Sequence, residues 1–262
     1  MHAATLYEGK SLSVYAYRCT RGPRDRPFEE MHERHSLSYV RAGSFGCRTE
    51  GAEHELVPGA VMVGRPGREY TATHEHHGCG DECVSVKLAP DLAERFDALW
   101  RLPRVPPVPE LMVLGELIRG PALEEAALAF VQKAAEVAGQ ADSVRATSRE
   151  RRKAVEAALW LEERAAEPVR LEDAAGQAGM SPFHFLRLFK AVLGVTPHQY
   201  VLRTRLKRAA KLLSEGRAPV TEVALEAGFA DLSNFVRTFG RAAGCSPRAF
   251  RKIFQERAAA AA

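Results

Sequence analysis

Two periods of apolar spacing divide this chain. From residue 11 to about 88, apolar and polar positions alternate in short runs: Leu12, Val14 and Ala16, then Leu37 and Tyr39, then Phe45 and Cys47. Val61–Val63 and Val84–Leu88 are further runs, and Ala42-Gly43, Glu50-Gly51, Pro58-Gly59 and Pro66-Gly67 punctuate them. Period-two alternation puts every second side chain on one face of a strand, and Gly and Pro mark the turns. Many short strands at this spacing predict a small β-barrel or sandwich.

Beyond residue 90 the period lengthens to that of a helix. Leu92–Leu99, Leu111–Ile118 and Leu123–Val137 read as helices, and the Pro-rich stretch Pro103–Pro109 is expected to end the strand region. The small, polar run Gly139–Thr147 reads as a linker. Arg149 to about Glu167 predicts a helix with Val155, Ala158, Leu159 and Glu162 on one largely apolar face. Leu171, Ala174, Ala175 and Ala178 then fall at i, i+3, i+4 and i+7, and Gly179 ends that helix. Ser181-Pro182 supplies an N-cap followed by a first-turn Pro. Phe185, Leu188, Phe189 and Val192 repeat the spacing up to Gly194. A short helix, a tight turn and a second helix make a helix-turn-helix pattern.

The unit recurs. Val220, Val223, Ala224 and Ala227 form the second short apolar face, Gly228 ends it, and Asp231 caps the next helix. Phe235, Phe239 and Ala242 point inward there, and Gly244 stops it. Pro197–Leu213 reads as a long helix linking the copies, with Leu202, Leu206, Ala209 and Leu213 on one stripe, and Ser246-Pro247 starts a last helix. Arg187 and Arg237 lie at matching places, each between two Phe, 50 residues apart. Gly179 and Gly228 are 49 apart, so the second turn carries one extra residue. With the apolar sets buried, the opposite faces show Phe183, Leu186, Arg187 and Lys190 in one copy and Leu232, Ser233, Val236 and Arg237 in the other. Arg can bond the O6 and N7 of guanine together, and apolar side chains can meet thymine methyl groups. The competing possibility pairs both Arg with carboxylates on neighbouring helices.

Charge sharpens this division. The 262 residues carry a formal net charge of +4. Residues 149–257 hold 20 Lys and Arg against 12 Asp and Glu, and the rest holds 17 against 21. Only the C-terminal part is basic, as expected of a part that meets phosphates. Lys190, Arg203, Arg205, Lys207 and Arg208 are candidate phosphate contacts on that account. The 46% hydrophobic and 27% charged composition is that of an ordinary globular chain, and no stretch has the apolar length of a membrane span. Met1–Lys10 lacks the basic and then apolar pattern of a signal peptide, and an odd number of Cys, five, fits reduced thiols. A cytoplasmic protein is expected.

The second copy resembles the signature of the AraC/XylS family of bacterial transcription regulators: Ala224, Gly228-Phe229, Phe235, Phe239, Gly244, Ser246-Pro247 and Phe250-Arg251. Leu56-Val-Pro58-Gly59 and Arg65-Pro66-Gly67 resemble the turns of cupin-type effector domains that often precede it. The resemblance implies an α+β chain, a cupin-like β-barrel followed by an all-α domain with two helix-turn-helix units joined by a long helix. Residues 1–105 would be the sensor domain, 106–147 a helical connection with the dimer contact and linker, and 148–257 the DNA-binding domain. The implied DNA-contacting set is Phe183, His184, Leu186, Arg187 and Lys190, with Leu232, Ser233, Val236, Arg237 and Arg241. Double-stranded DNA, a small-molecule effector, a second copy of the chain and RNA polymerase are the implied partners. Gly240 stands where the family commonly has a basic residue, with Arg241 one place later, and Leu186 is apolar where a polar reader is frequent. Both departures shift recognition towards shape and methyl contacts.

His32, His35, His54, His74, His76 and His77 crowd the strand region, near Cys79 and Cys83. Imidazole and thiolate suit transition metals, and His32-x-x-His35 could converge with His74-x-His76 on a neighbouring strand. The alternative is a polar rim of neutral His and buried, reduced Cys. No spacing matches a zinc signature, so the sequence assigns no metal ligand and no cofactor. It assigns no catalytic residue either, since the helical half holds no evident nucleophile, base and orienting group together. A cupin-type metal-dependent enzyme with a helical assembly domain is the rival class.

Overall fold

The structure, a computed structural model, describes residues 2–75, 80–118, 123–138 and 146–260, with side chains described as far as residue 255. The strands are β1 (His2–Glu8), β2 (Leu12–Cys19), β3 (Phe28–Met31), β4 (Ser36–Gly43), β5 (Phe45–Thr49), β6 (Ala52–Leu56), β7 (Val61–Gly64), β8 (Glu69–Thr73), β9 (Asp81–Leu88) and β10 (Arg104–Val105). They form two antiparallel sheets, one in the order β1-β2-β9-β4-β7-β10 and the other β3-β8-β5-β6. The expected barrel is corrected by this topology. Among the described residues no ladder joins one sheet to the other, so the strands pack as two layers and do not close.

Alternation sets what each face of the six-stranded sheet meets. Leu12, Val14, Leu37, Tyr39, Val84, Val86 and Leu88 point to one side and are buried. They pack under Trp100 and two helices, α2 (Pro109–Leu117) and α3 (Leu123–Val137), which follow a single-turn helix α1 (Pro90–Ala93). The intervening residues Ser36, Ser38, Cys83, Ser85 and Lys87 face the four-stranded sheet across a cavity of about 410 Å³. The long helix expected over Leu92–Leu99 is only α1 and a 3₁₀ turn. The last strand, β10, lies inside the Pro-rich stretch and pairs with β7 as an edge strand, and α2 begins where the stretch ends. Residues 139–145 of the expected linker lie outside the described residues.

The C-terminal half is α4 (Ser148–Glu163), α5 (Leu171–Gln177), α6 (Pro182–Leu193), α7 (Pro197–Glu215), α8 (Val220–Glu226), α9 (Leu232–Ala243) and α10 (Pro247–Ala260). A capping box at Thr147 and Glu150 starts α4. Its buried stripe is Ala154, Val155, Ala157, Ala158 and Leu161, which includes the expected Val155 and Ala158, with Leu159 half-buried beside them. Glu162 leaves the apolar face and accepts a hydrogen bond from Lys207 at 2.8 Å. Two cores result. Phe185, Phe189 and Tyr200 centre the first, with the Phe189 and Tyr200 rings edge to face, 5.7 Å apart. Phe235, Phe239, Phe250 and Phe254 centre the second.

The halves are joined through α2. Its Leu111 and Met112 enter the sheet core, while Val113 enters the core of Leu206, Phe235 and Phe239. Polar bonds flank this contact. Arg104 donates to the Val192 carbonyl at the end of α6 (2.8 Å), and the Tyr200 hydroxyl donates to the Pro58 carbonyl (3.3 Å). A cation at the C-terminal end of a helix is well placed electrostatically. Arg41 and Glu116 form a half-buried ion pair at 2.6 Å beside them, and Lys207 bonds the Arg41 carbonyl. Among the described residues no helix is long and apolar enough to cross a membrane.

Candidate nucleic-acid interface

Each reading face begins with a cap and ends with a glycine. The Ser181 hydroxyl accepts from the His184 amide at 3.4 Å, Pro182 occupies the first turn of α6, and Gly194 stops it. Asp231 accepts from the Ser233 and Asn234 amides at 2.9 and 3.2 Å to start α9, and Gly244 stops it. Upstream, the Met180 amide donates to the Ala175 carbonyl and the Phe229 amide to the Ala224 carbonyl, which closes α5 and α8 in the same way. Two residues separate Gly228 from its cap Asp231, and one separates Gly179 from Ser181, so the extra residue does fall in the second turn.

With Phe185, Leu188, Phe189 and Val192 buried, α6 turns Phe183, His184, Arg187 and Lys190 to solvent and leaves Leu186 half-buried. In α9, Phe235 and Phe239 are buried while Leu232, Ser233, Val236, Arg237 and Arg241 are exposed. Phe183 is 70% exposed. The Arg187 guanidinium sits 5.9 Å from the Phe183 ring centroid. Arg237 donates to Asn234 Oδ1 at 3.2 Å, a contact the sequence reasoning missed. Its signal was the i, i+3 spacing on one helix face. Among the described residues no carboxylate pairs with Arg187 or Arg237, which removes the competing ion-pair assignment for both. The docked N-terminal half reaches α9 through its buried side and leaves both faces open.

Three candidate phosphate contacts are corrected, while the fourth on this helix, Arg208, stays exposed. Arg203 donates to the Pro107 carbonyl, Arg205 to the carbonyls of Ala165 (2.6 Å) and Glu167 (2.9 Å), Lys207 to Arg41 and Glu162, and Arg208 pairs with Glu226 at 3.7 Å. Burial holds the Arg203 guanidinium down to about 10, as expected of a cation bonded to a carbonyl inside the protein. α7 therefore spends Arg203, Arg205 and Lys207 holding the two halves and the neighbouring helices together. Lys190 alone of that group remains on an open reading face.

His32, His35 and His74 do not gather into one ligand group. His32 stacks on Tyr70 with centroids 4.6 Å apart, and His35 packs on Trp100. Burial, with Arg68 and Lys87 nearby, lowers His32 to about 4, so its ring stays neutral. His76, His77 and Cys79 lie outside the described residues. Cys19, Cys47, Cys83 and Cys245 are free thiols.

Two helix-turn-helix units in tandem, with matched cationic faces, define the class of the C-terminal half. Residues 174–253 match the family described as helix-turn-helix domain. The chain is 35% identical over 92 residues to the probable transcriptional regulator LumQ of Photobacterium leiognathi, covering 35% of this chain and 37% of that protein. It is 38% identical over 93 residues to the transcriptional activator RhaS of Escherichia coli O139:H28, covering 36% of this chain and 34% of the relative. The chain thus spans about a third of the length of these curated relatives. Among solved structures it is similar to the DNA-binding domain of AdpA in complex with a target DNA, at 31% identity, 40% of this chain, 95% of that one and a TM-score of 0.39. The helix-turn-helix domain is thus of the AraC/XylS type.

Proposed function

We propose that the protein is a sequence-specific, double-stranded-DNA-binding transcription regulator of the cytoplasm. Its helical domain, residues 148–257, reads DNA, and a cupin-like N-terminal domain, residues 1–105, senses a small molecule. The observation that carries this is the matched pair Arg187 and Arg237, both exposed and both free of carboxylate partners on equivalent helices. Arg187 and Arg237 take guanine edges. Phe183, Leu186, Leu232 and Val236 supply apolar contacts to thymine methyl groups. His184, Lys190, Ser233 and Arg241 bond bases or phosphates alongside.

The effector pocket is the cavity between the sheets, lined by Tyr17, Glu30, His32, Ser38, Tyr70 and Lys87 among others. An effector acts only by as much as it favours one arrangement of the two halves over another. The half-buried Arg41–Glu116 pair and Lys207 tie β4 to α2 and α7, and are the contacts such a shift would remake. Residues 106–147 connect the halves. α2 buries both of its sides, so a homodimer contact falls along α3, where Leu128 is exposed. RNA polymerase is the further partner this class implies.

The test is selection of bound duplexes from a random pool, followed by affinity measurement across a salt series. Enrichment of one sequence, and a log Kd that worsens linearly with log salt by about 0.9 for each phosphate neutralised, is the expected result. A pool that stays random through repeated rounds would remove the DNA-reading function.

A further inference from the structure

Among the described residues, one group of His, Cys and carboxylate side chains comes close enough to share an ion: Cys19, His74 and Asp81. The strands explain the meeting. Cys19 ends β2 and Asp81 opens β9, and the ladder pairs them directly. Directly paired residues point to the same face of a sheet, here the face that lines the cavity. His74 follows β8 in the opposite sheet and reaches across.

Cys19 Sγ lies 3.6 Å from His74 Nε2, and His74 Nε2 lies 3.6 Å from Asp81 Oδ2. All three ligand atoms fall within 4.8 Å of one another. A tetrahedral zinc ion with bonds of about 2.0–2.3 Å holds its ligand atoms about 3.4–3.6 Å apart. The group therefore has room for an ion at its centre with little movement. His74 is 2% exposed, and its Nδ1 has no hydrogen-bond partner. A buried imidazole held by so few bonds is unusual for a purely structural His. Cys83 donates from Sγ to the other Asp81 oxygen at 3.3 Å and so fixes the carboxylate from behind, as outer partners of metal ligands do.

We propose that Cys19, His74 and Asp81 bind one zinc(II) ion at the rim of the cavity. The ion would clip the six-stranded sheet to the four-stranded sheet, which among the described residues share no backbone ladder. Three protein ligands leave a fourth position for water or a ligand donor from the cavity, the open arrangement of non-structural zinc sites. Binding displaces the Cys19 thiol proton to solvent, so affinity rises with pH. The site is independent of the DNA-reading function, since metal titration needs no DNA.

The test uses the full chain, reduced and stripped with chelator, titrated with Co(II) and then with Zn(II). One equivalent of Co(II) should bind, with a thiolate-to-cobalt charge-transfer band and tetrahedral ligand-field bands, and Zn(II) should bleach both. Zn(II) should also raise the thermal midpoint. Cys19→Ser should abolish the charge-transfer band. His74→Gln and Asp81→Asn should weaken binding by at least about a hundredfold, the upper end of what loss of a mere outer partner does. Cys47→Ser, a buried thiol outside the group of three ligands, should change none of these readouts. A wild-type chain with no thiolate band, or a Cys19→Ser chain that folds and keeps the band at unchanged affinity, would overturn the site. Should Cys19→Ser fail to fold, the wild-type spectrum and the Asp81→Asn titration decide.

Discussion

Replacing Arg187 and Arg237 together by Ala should lower affinity for the selected DNA site by about thirtyfold or more, while binding to random duplex falls only a few-fold. Each guanidinium can make a bidentate contact to guanine worth roughly 1–3 kcal/mol of discrimination, and two such losses give roughly 2–6 kcal/mol. The two helices sit in separate cores, so the single losses should nearly add. Each single variant should relax base preference in one half of the site and leave the other half unchanged. Arg187→Lys and Arg237→Lys should not restore it, because an ammonium cannot offer the planar fork. The measurement is competition binding between the selected site and random duplex at fixed salt. Equal loss on both DNAs would demote the pair to phosphate contacts.

Gly228→Ala should destabilise the chain far more than Gly179→Ala, although the two glycines hold the same place in duplicated turns. Both have left-handed backbone, φ 94° and φ 61°, which costs an alanine about 1–2 kcal/mol. The surroundings differ. A Cβ on Gly179 would meet only the flexible end of Lys153, at 3.6 Å. A Cβ on Gly228 would lie 2.7 Å from Ala166 Cα and 2.8 Å from the Ala165 carbonyl oxygen. Backbone cannot swing aside as a side chain does, and forced overpacking adds about 1–3 kcal/mol. Denaturant unfolding of the two full-length variants should therefore separate them by at least about 1 kcal/mol. Equal losses would mean that the turn of the second unit does not pack against the end of α4.

The C-terminal half was legible because its signals are local. Ser181 and Asp231 cap the helices they precede, Gly194 and Gly244 stop them, and the i, i+3, i+4, i+7 apolar set of α6 is the set found buried. The exposure of Arg187 and Arg237 followed from that periodicity. What the sequence could not supply was which surfaces meet. Arg203, Arg205 and Lys207 look like a cationic stripe on a helix, yet each is spent on a carbonyl or carboxylate brought there by another element. Alternation in the N-terminal half predicted strands but not their neighbours. β2 pairs with β9 across more than 60 residues of chain, and that ladder alone brings Cys19 to Asp81. The same blindness to pairing made two stacked sheets read as a closed barrel. The sequence left open whether His32 and His35 converge with His74 or form a polar rim; each ring is taken up by a neighbouring aromatic.

Dimethyl sulfate protection of guanine N7 on the selected duplex tests the twin reading heads most directly. The full-length chain should shield two groups of guanines in the major groove, about one helical turn or 10–10.5 base pairs apart on one face. Arg187→Ala should uncover one group and Arg237→Ala the other. A single shielded group, or two groups that respond alike to either substitution, would contradict a protein that reads DNA with two matched helices.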